Sequence, residues 1–554
     1  MRRILPFLKN DLPLMIRWFV KLSRGIRLKM TVVILFGLME VLAALAFIWA
    51  TKRVMDIASH ASEGDIKDAA FVASAILIFQ LILQTSEGWL NGMFPSETSN
   101  AIRSRLFRRL MHVKWNELER YHTGDIVSRL NQDVGSVSSI FTSIFPNFII
   151  TGFQFITALF YLKFLDARLA WTLIIVFPCF LLLSKLYVEP MRKYAKAIRE
   201  DDARIQSLVQ ESLRHRVVIK TFEKGEMISR RLIDLQELLL GNIRKRTRLS
   251  LFSQASLASG FSVGYLLVFL WGAFRLDQNA ITFGTMTAFL QLIGRVQRPA
   301  ADLVLMLPSF IGAWVSAERI REVEDMNLEE NLQEAVLQNE LPSGVILREV
   351  SFKYRDGSSN VLSDLSYDFQ PGSCTAVVGE TGAGKTTLLR LLLGLIDPHK
   401  GRIDLYSPDS DPIGVSYRTR RALVYVPQGN TLLSGSVRDN LLLGKPDASD
   451  TELEHVLQVS CAHFYKKLPD GIDTLLTEGG GGLSEGQAQR IAIARSLLRP
   501  GNIMLFDEIT SALDSETELK VLQNIRKHFP SKTLIYITHH PLLVEQCDGV
   551  LRIG

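Results

Sequence analysis

"TAVVGETGAGKTTLLRLLLGL" (residues 375–395) passes from an apolar run through a glycine loop into a leucine-rich run. The first part predicts a buried strand and the last a helix. Gly379, Gly384, Lys385 and Thr386 fill the pattern G-x-x-x-x-G-K-[ST]. In that pattern the backbone N–H groups from Gly379 through Glu380, Thr381, Gly382, Ala383 and Gly384 cradle phosphate oxygens. Lys385 reaches the β and γ oxygens, and Thr386, with Thr387 beside it, stands where a hydroxyl can hold Mg2+. A nucleoside triphosphate site in an α/β domain is the direct reading.

The residues downstream extend it. "NIMLFDEITSALD" (502–514) predicts a buried strand that delivers Asp507 towards the magnesium and Glu508 next to it. A carboxylate beside the γ-phosphate can polarise an attacking water. Gln428, in "VYVPQGN", also follows an apolar strand and is placed to sense the metal or the water. "YITHH" (536–540) ends a further strand with two histidines, one of them a contact for the γ-phosphate. "GGGGLSEGQAQRIAIARSLLRP" (479–500) runs from flexible backbone into a helix start. Glycines allow close approach and helix N-termini favour anions, so this is half of a nucleotide site.

Upstream the composition changes. The chain has 554 residues, 47% hydrophobic and 22% charged, and the long apolar stretches crowd its first 320. A helix needs about 20 apolar residues to cross a bilayer core. Six stretches qualify: Met30–Ala50, Ala69–Ser86, Val134–Leu162, Leu169–Ser184, Leu249–Phe274 and Ile281 to Ala317. Glu40 interrupts the first, where it contacts either a cationic substrate or a neighbouring helix. Arg295, Arg298 and Asp302 break the last; the arginines either meet an anionic group or mark a kink at Pro299. Residues 1–29 hold eight Lys/Arg against one acid, and fifteen Lys/Arg lie between Arg192 and Arg248. Both ends therefore belong in the cytoplasm, with short loops outside. The two long inner segments predict helices that continue beyond the membrane and turn back at 121–134 and 214–226. Residues 1–29, rich in aromatic and basic side chains, suit a helix lying in the interface.

The net charge of +6 is mild and spread between apolar runs, which excludes a nucleic-acid stripe. Cys179, Cys374, Cys461 and Cys547 are far apart without metal-ligand spacing, and read as filler thiols in a reducing compartment. No cleavable signal is evident at the N-terminus.

Strand–P-loop, "VPQ", "LSEGQAQR", "LFDE", "SALD" and "ITH" occur in an order that resembles the ATP-binding cassette (ABC) ATPases. With six spans ahead of them, the chain resembles a half-size ABC exporter over essentially its whole length. The resemblance implies an all-α six-helix transmembrane domain of the type I exporter kind, plus an α/β P-loop NTPase domain. The expected domains are an interfacial elbow helix at 1–29, the transmembrane domain at 30–320, a linker at 321–344 and the cassette at 345–554.

It also implies that Tyr354 stacks on adenine, that Gln428 is the Q-loop residue, and that Glu508 is the catalytic base. His539, rather than His540, is the switch histidine, and Asp514 belongs to the D-loop. ATP and Mg2+ are the expected cofactors, with Thr386, Gln428 and Asp507 on the metal. Ser484, Gly486 and Gln487 would serve the nucleotide of a second copy, or of a related half-transporter, across a dimer interface. The two turning points resemble coupling helices. Three departures stand out: Glu485 where glycine is usual, "TEGGGG" without the usual charge after its glycine, and an end at "CDGVLRIG" short of the family's C-terminal helices.

The expected function is ATP-driven export of a lipid or amphipathic small molecule from a bacterial inner membrane. An importer on the same fold and an ATP-gated channel or regulator are the alternatives. Fusion of spans and cassette favours export, and intact catalytic residues disfavour a regulator.

Overall fold

The computed structural model describes residues 5–329, 343–354, 359–380, 382–408, 410–477, 480–508 and 513–554. It divides into two compact units. One comprises Met1–Arg108 and Thr123–Asp325, the other Arg109–His122 and Met326–Gly554.

The helices up to residue 325 are, in chain order, α1 (Leu5–Leu22), α2 (Arg27–Ala58), α3 (Ile66–Leu110), α4 (Trp115–Leu118), α5 (Thr123–Ser128), α6 (Val134–Ser139), α7 (Phe145–Leu165), α8 (Ala167–Arg214), α9 (Arg216–Thr221), α10 (Gly225–Asp277) and α11 (Phe283–Asp325). Of these, α4 belongs to the second unit. Helices α5 to α7 form one run, wound into π turns at Arg129–Asp133 and Ile140–Ile144.

Five runs among the described residues are long and apolar enough to cross a membrane: α2, α3, Thr123–Leu165, α10 and α11. The sixth expected span, Leu169–Ser184, lies on α8, where the side chains of 173–189 are outside the described residues. With 53 residues, α10 is about 80 Å long at 1.5 Å per residue, well beyond a bilayer core. Outward-facing Leu35, Phe71, Ile78, Phe160 and Phe164 are exposed, a surface that suits lipid and not water.

Inside the unit, Ile48, Leu162, Phe289, Leu292 and Ile293 form a buried core. Close packing of α2 on α7 depends on Gly37, where an added Cβ would lie 2.2 Å from Cδ1 of Ile150. Asp56 on α2 pairs with Lys52 and accepts from the Gly284 N–H of α11 at 3.0 Å. Arg129, 6% exposed, donates to Asp125 and Glu322, both at 2.8 Å. Arg319 bridges Asp125 and Asp133, so α11 is tied to the π-wound run by ion pairs. Glu40 on α2 faces Glu87 on α3. Pro299 lies inside α11, which continues past it, and neither Arg295 nor Arg298 makes an ion pair among the described residues. Met15 of α1 is buried, and Phe19 rests its ring on Phe141 and Trp314.

The chain turns back at α9, inside 214–226, and at 111–122, upstream of the expected 121–134. From Thr123 that stretch is already helix. The cause is a non-local pairing within the second unit that no local signal reveals. Val113 bridges Leu328, Lys114 N–H donates to the Asn327 carbonyl, and Glu329 N–H donates to the His112 carbonyl. These bonds pull residues 112–114 out of helical geometry.

The rest of the second unit contains β1 (Gly344–Phe352), β2 (Leu362–Phe369), β3 (Cys374–Val378), α12 (Lys385–Leu392), β4 (Lys400–Ser407), β5 (Ser410–Gly414), β6 (Leu423–Val426), β7 (Gly435–Ser436), α13 (Val437–Leu442), α14 (Asp450–Val459), β8 (Leu475–Leu476), α15 (Glu485–Leu497), β9 (Ile503–Asp507), α16 (Ser515–His528), β10 (Thr533–Ile537), α17 (Pro541–Gln546) and β11 (Gly549–Arg552). A parallel sheet runs β11-β3-β10-β9-β6, and an antiparallel one runs β2-β1-β4-β5. Strands β9 and β10 are buried throughout and alternate between two cores. Met504, Phe506, Leu534 and Tyr536 face one; Ile503, Leu505, Ile535 and Ile537 face the other. That period-2 division is what a central strand of an α/β layer requires.

Candidate functional site

The parallel register sets the site. Ile537 pairs with Val377 on one side and with Asp507 on the other, and Val426 pairs with Phe506. The loops after β3, β6, β9 and β10 therefore leave the same carboxyl edge, where ligands bind in open α/β sheets. Those loops carry the glycine loop, Gln428, Glu508 and His539.

Gly379 must be a glycine because a Cβ there would lie 2.3 Å from the Ile553 carbonyl. Gly384 caps α12 with φ +100°, a left-handed conformation that side chains resist. Between them the Ala383 N–H donates to the Glu380 carbonyl, and Gly382 is exposed; Thr381 lies outside the described residues. Lys385 Nζ donates to the carbonyls of Gly379 (2.7 Å) and Glu380 (3.1 Å), closing the loop into a ring at the N-terminus of α12. Thr386 is exposed there and Thr387 is buried. Thr387 lies 3.3 Å from the Tyr354 hydroxyl, which also accepts from Arg390 at 3.0 Å. The Tyr354 ring packs edge-on against Phe352.

Asp507 ends β9 with 9% exposure and accepts from the Tyr425 hydroxyl at 3.0 Å. Burial pushes its carboxyl above the ordinary range, Tyr425 pulls it back, and the adjacent Glu508 charge raises it again. Such a carboxylate gains from a cation alongside. Glu508 follows at φ +44°, a strained geometry for a non-glycine residue, and its N–H donates to the Ile537 carbonyl. Its carboxylate accepts from Gln428 Nε2 at 3.1 Å across 80 positions of sequence.

The two histidines separate. His540 Nε2 lies 3.3 Å from the Ser515 hydroxyl, and its backbone N–H donates to Thr538. His539 is exposed and lines a cleft of about 600 Å³ with Val378, Gly379 and Glu380.

Ser484, Gly486 and Gln487 stand elsewhere in the unit. Ser484 caps α15: its hydroxyl accepts from the Gln487 N–H at 3.2 Å, and the Gln487 side chain accepts from the Ser484 N–H at 2.9 Å. Glu485 is the first residue of the helix and is exposed. The helix packs against α13 and α14. Among the described residues no hydrogen bond or ion pair joins Ser484–Gln487 to residues 379–387. Asp514 caps α16 by accepting from the Thr517 N–H, and Glu478, the acid of "TEGGGG", lies outside the described residues.

The sequence reading missed three residues. Tyr425, inside the quoted "VYVPQGN", holds Asp507. Arg390 joins Tyr354 to Glu119, at 2.9 Å, on the turn that follows α4. Glu329 takes both guanidinium nitrogens of Arg420, at 2.9 and 2.8 Å. The tyrosine is signalled by its place two residues before the proline; the two ion pairs leave no local signal.

As for metal, no three His, Cys, Asp or Glu side chains among the described residues are grouped to hold an ion by themselves. The oxygen donors present, Thr386 and Asp507, suit Mg2+, which is commonly held by one or two protein groups plus phosphates.

Residues 30–299 match the family model of the ABC transporter transmembrane region, and residues 362–511 that of the ABC transporter. The uncharacterised ABC transporter ATP-binding protein YfiC of Bacillus subtilis is 25% identical over 94% of this chain and 86% of its own length. The probable multidrug resistance ABC transporter ATP-binding/permease protein YheI, also of Bacillus subtilis, is 27% identical over 88% and 85%. A bacterial Atm1-family ABC exporter solved with ATP bound has the same fold, with a TM-score of 0.79, 22% identity and coverage of 96% and 94%. The fused transmembrane and cassette regions, with the strand edge that carries the P-loop, place the chain among the half-size ABC exporters, membrane proteins that bind ATP and couple its hydrolysis to transport.

Proposed function

We propose that two copies of this chain form a twofold dimer that exports a lipid or amphipathic small molecule from the cytoplasm or inner leaflet of a bacterial inner membrane. The observation that carries the two-copy reading is the separation of Ser484–Gln487 from the P-loop of the same chain. A helix N-terminus with a capping serine favours an anion, and a twofold partner would bring one to it. The second copy's triphosphate would then lie between one chain's P-loop and the other chain's α15. The name of YheI, a probable multidrug resistance transporter, adds support for a small-molecule substrate.

In each pocket Lys385 and the N–H groups of Gly379–Gly384 hold the β and γ phosphates, and Tyr354 lies against the base. Thr386, Gln428 and Asp507 would hold Mg2+, which neutralises charge on the phosphate oxygens when bound. Glu508 takes the proton from a water as its oxygen attacks the γ-phosphorus and the bond to the β–γ bridging oxygen breaks. Gln428, already bonded to Glu508, orients that water, and His539 donates to the γ-phosphate.

Closure of two cassettes on ATP would draw the chains together, and their opening would follow hydrolysis. The turn at 111–122 is part of the cassette unit: Glu119 pairs with Arg390 on α12, and Asn327 bonds Lys114 and Glu117. The helix that starts at the P-loop therefore shares an ion pair with a turn leading from the transmembrane helices, a direct route for coupling.

The test is ATPase stimulation of purified, reconstituted protein by a panel of lipids, drugs and peptides, with Glu508→Gln as control. Stimulation by an amphipathic compound supports the reading. Response to none of the panel, with intact basal turnover, rejects the substrate class.

A further inference from the structure

Cys374 opens β3 and Cys547 caps the end of α17, and their sulfur atoms lie 2.8 Å apart. They are 173 positions apart in sequence, and the sheet register brings them together. Gly549 pairs with Thr375, so Asp548 comes beside Cys374. The Asp548 carboxylate accepts from the Cys374 N–H at 2.8 Å, and the Cys374 carbonyl accepts from the Asp548 N–H at 2.8 Å. Arg526 donates to Asp548 at 2.9 Å and to the Gln546 carbonyl at 2.8 Å. The backbone on both sides of the pair is thus fixed. With their sulfur atoms 2.8 Å apart, the two side chains already point at each other, as a disulfide requires. Both thiols are free, Cys374 is buried and Cys547 is partly exposed. Neither sulfur serves the nucleotide site, because the P-loop leaves the opposite end of β3.

We propose that Cys374 and Cys547 form a reversible disulfide when the protein meets a peroxide, stapling β11 and α17 to the strand that carries the P-loop. Cys547 is the reachable sulfur. Its thiolate attacks one oxygen of hydrogen peroxide, which breaks the O–O bond and leaves a sulfenic acid and hydroxide. The Cys374 sulfur then displaces the sulfenic oxygen as water. Two thiols and one peroxide become one disulfide and two waters, the two sulfurs losing the two electrons that the peroxide gains. A hydrogen bond from the Cys374 thiol, opposed by burial, holds the Cys547 thiol below its ordinary range, which favours it as the first nucleophile. Because the closed loop spans most of the cassette, the bond removes many unfolded conformations.

The full-length protein in detergent is treated with hydrogen peroxide, blocked with N-ethylmaleimide and digested without reductant. The expected product is one peptide pair joined through Cys374 and Cys547, lost on reduction with dithiothreitol and absent from Cys374→Ser and Cys547→Ser. The oxidised wild type is expected to unfold several degrees above the reduced protein, a shift that both variants lack. Alkylation of both cysteines after peroxide overturns the proposal. So does stable over-oxidation of Cys547, a bond to Cys461 or to another chain, or a joined pair without the thermal shift.

Discussion

The P-loop edge and the start of α15 both present an anion-binding helix N-terminus, yet the chain treats them differently. At the P-loop edge, residues far apart in sequence already touch: Gln428 with Glu508, Tyr425 with Asp507, Tyr354 with Thr387 and Arg390. At α15, Ser484 and Gln487 bond each other. One region is assembled by the fold of a single chain; the other is capped and exposed. The difference teaches which contacts one chain makes by itself, and the proposed function then predicts that binding and hydrolysis are separable. On the proposed reading, a chain alone holds the triphosphate and the second copy supplies what turnover needs.

The sharpest way to break that division is at the base. Glu508→Gln is expected to lower ATP turnover by a factor on the order of 100 to 10,000, the usual contribution of a general base, while ATP still binds. Phosphate release paired with calorimetric binding reads both; turnover at the wild-type level removes Glu508 from the role. Next in size, Ser484→Ala is expected to reduce turnover at least tenfold with ATP affinity nearly unchanged. It also removes a cap worth about 1 kcal/mol, so Ser484→Thr, which keeps the cap, is the control for misfolding. If Ser484→Ala weakens binding and turnover equally, the two regions are not separable.

A smaller effect concerns Glu485. In the proposed dimer its negative charge, at the first helical position, would compete with the partner's phosphate for the positive end of α15. Interactions of that kind are worth about 0.3–1 kcal/mol, so Glu485→Gly is expected to raise ATP turnover by about two- to fivefold with ATP affinity nearly unchanged. A lowered turnover would give Glu485 a favourable role in the pocket.

The smallest effect lies outside both regions and serves as a control. Lys532, with 9% exposure, donates to the carbonyls of Arg499 and Gly501, and burial lowers its pKa from 10.5 to about 8. Between those values the unfolded chain holds the proton that the folded chain has lost. Stability contributed by this group therefore rises with pH from about 8 to 10.5. Lys532→Met is expected to flatten that rise in thermal unfolding without moving the KM for ATP.

Legibility in the sequence follows the same division. Where a residue's role depends on its own neighbours in the chain, the sequence suffices: the glycine loop announces its strand and helix, and the six apolar stretches announce long helices. Resemblance distinguishes His539 from His540, and the folded chain separates them by turning His540 to Ser515. Where the role depends on distant pairing, the sequence is silent. The first cytoplasmic turn moved upstream because Val113 bridges Leu328. Arg390 gained Glu119, and Cys374 gained Cys547, for the same reason.

The most direct test of two copies sharing their ATP pockets is complementation. Lys385→Ala and Ser484→Arg, each inactive as a homodimer, are mixed by co-expression with two different tags and purified through both. The account predicts recovered ATP turnover, because a mixed dimer holds one pocket with an intact P-loop and an intact Ser484. A doubly tagged complex with no recovered turnover would contradict it, as would a lone wild-type chain that hydrolyses ATP at the full rate.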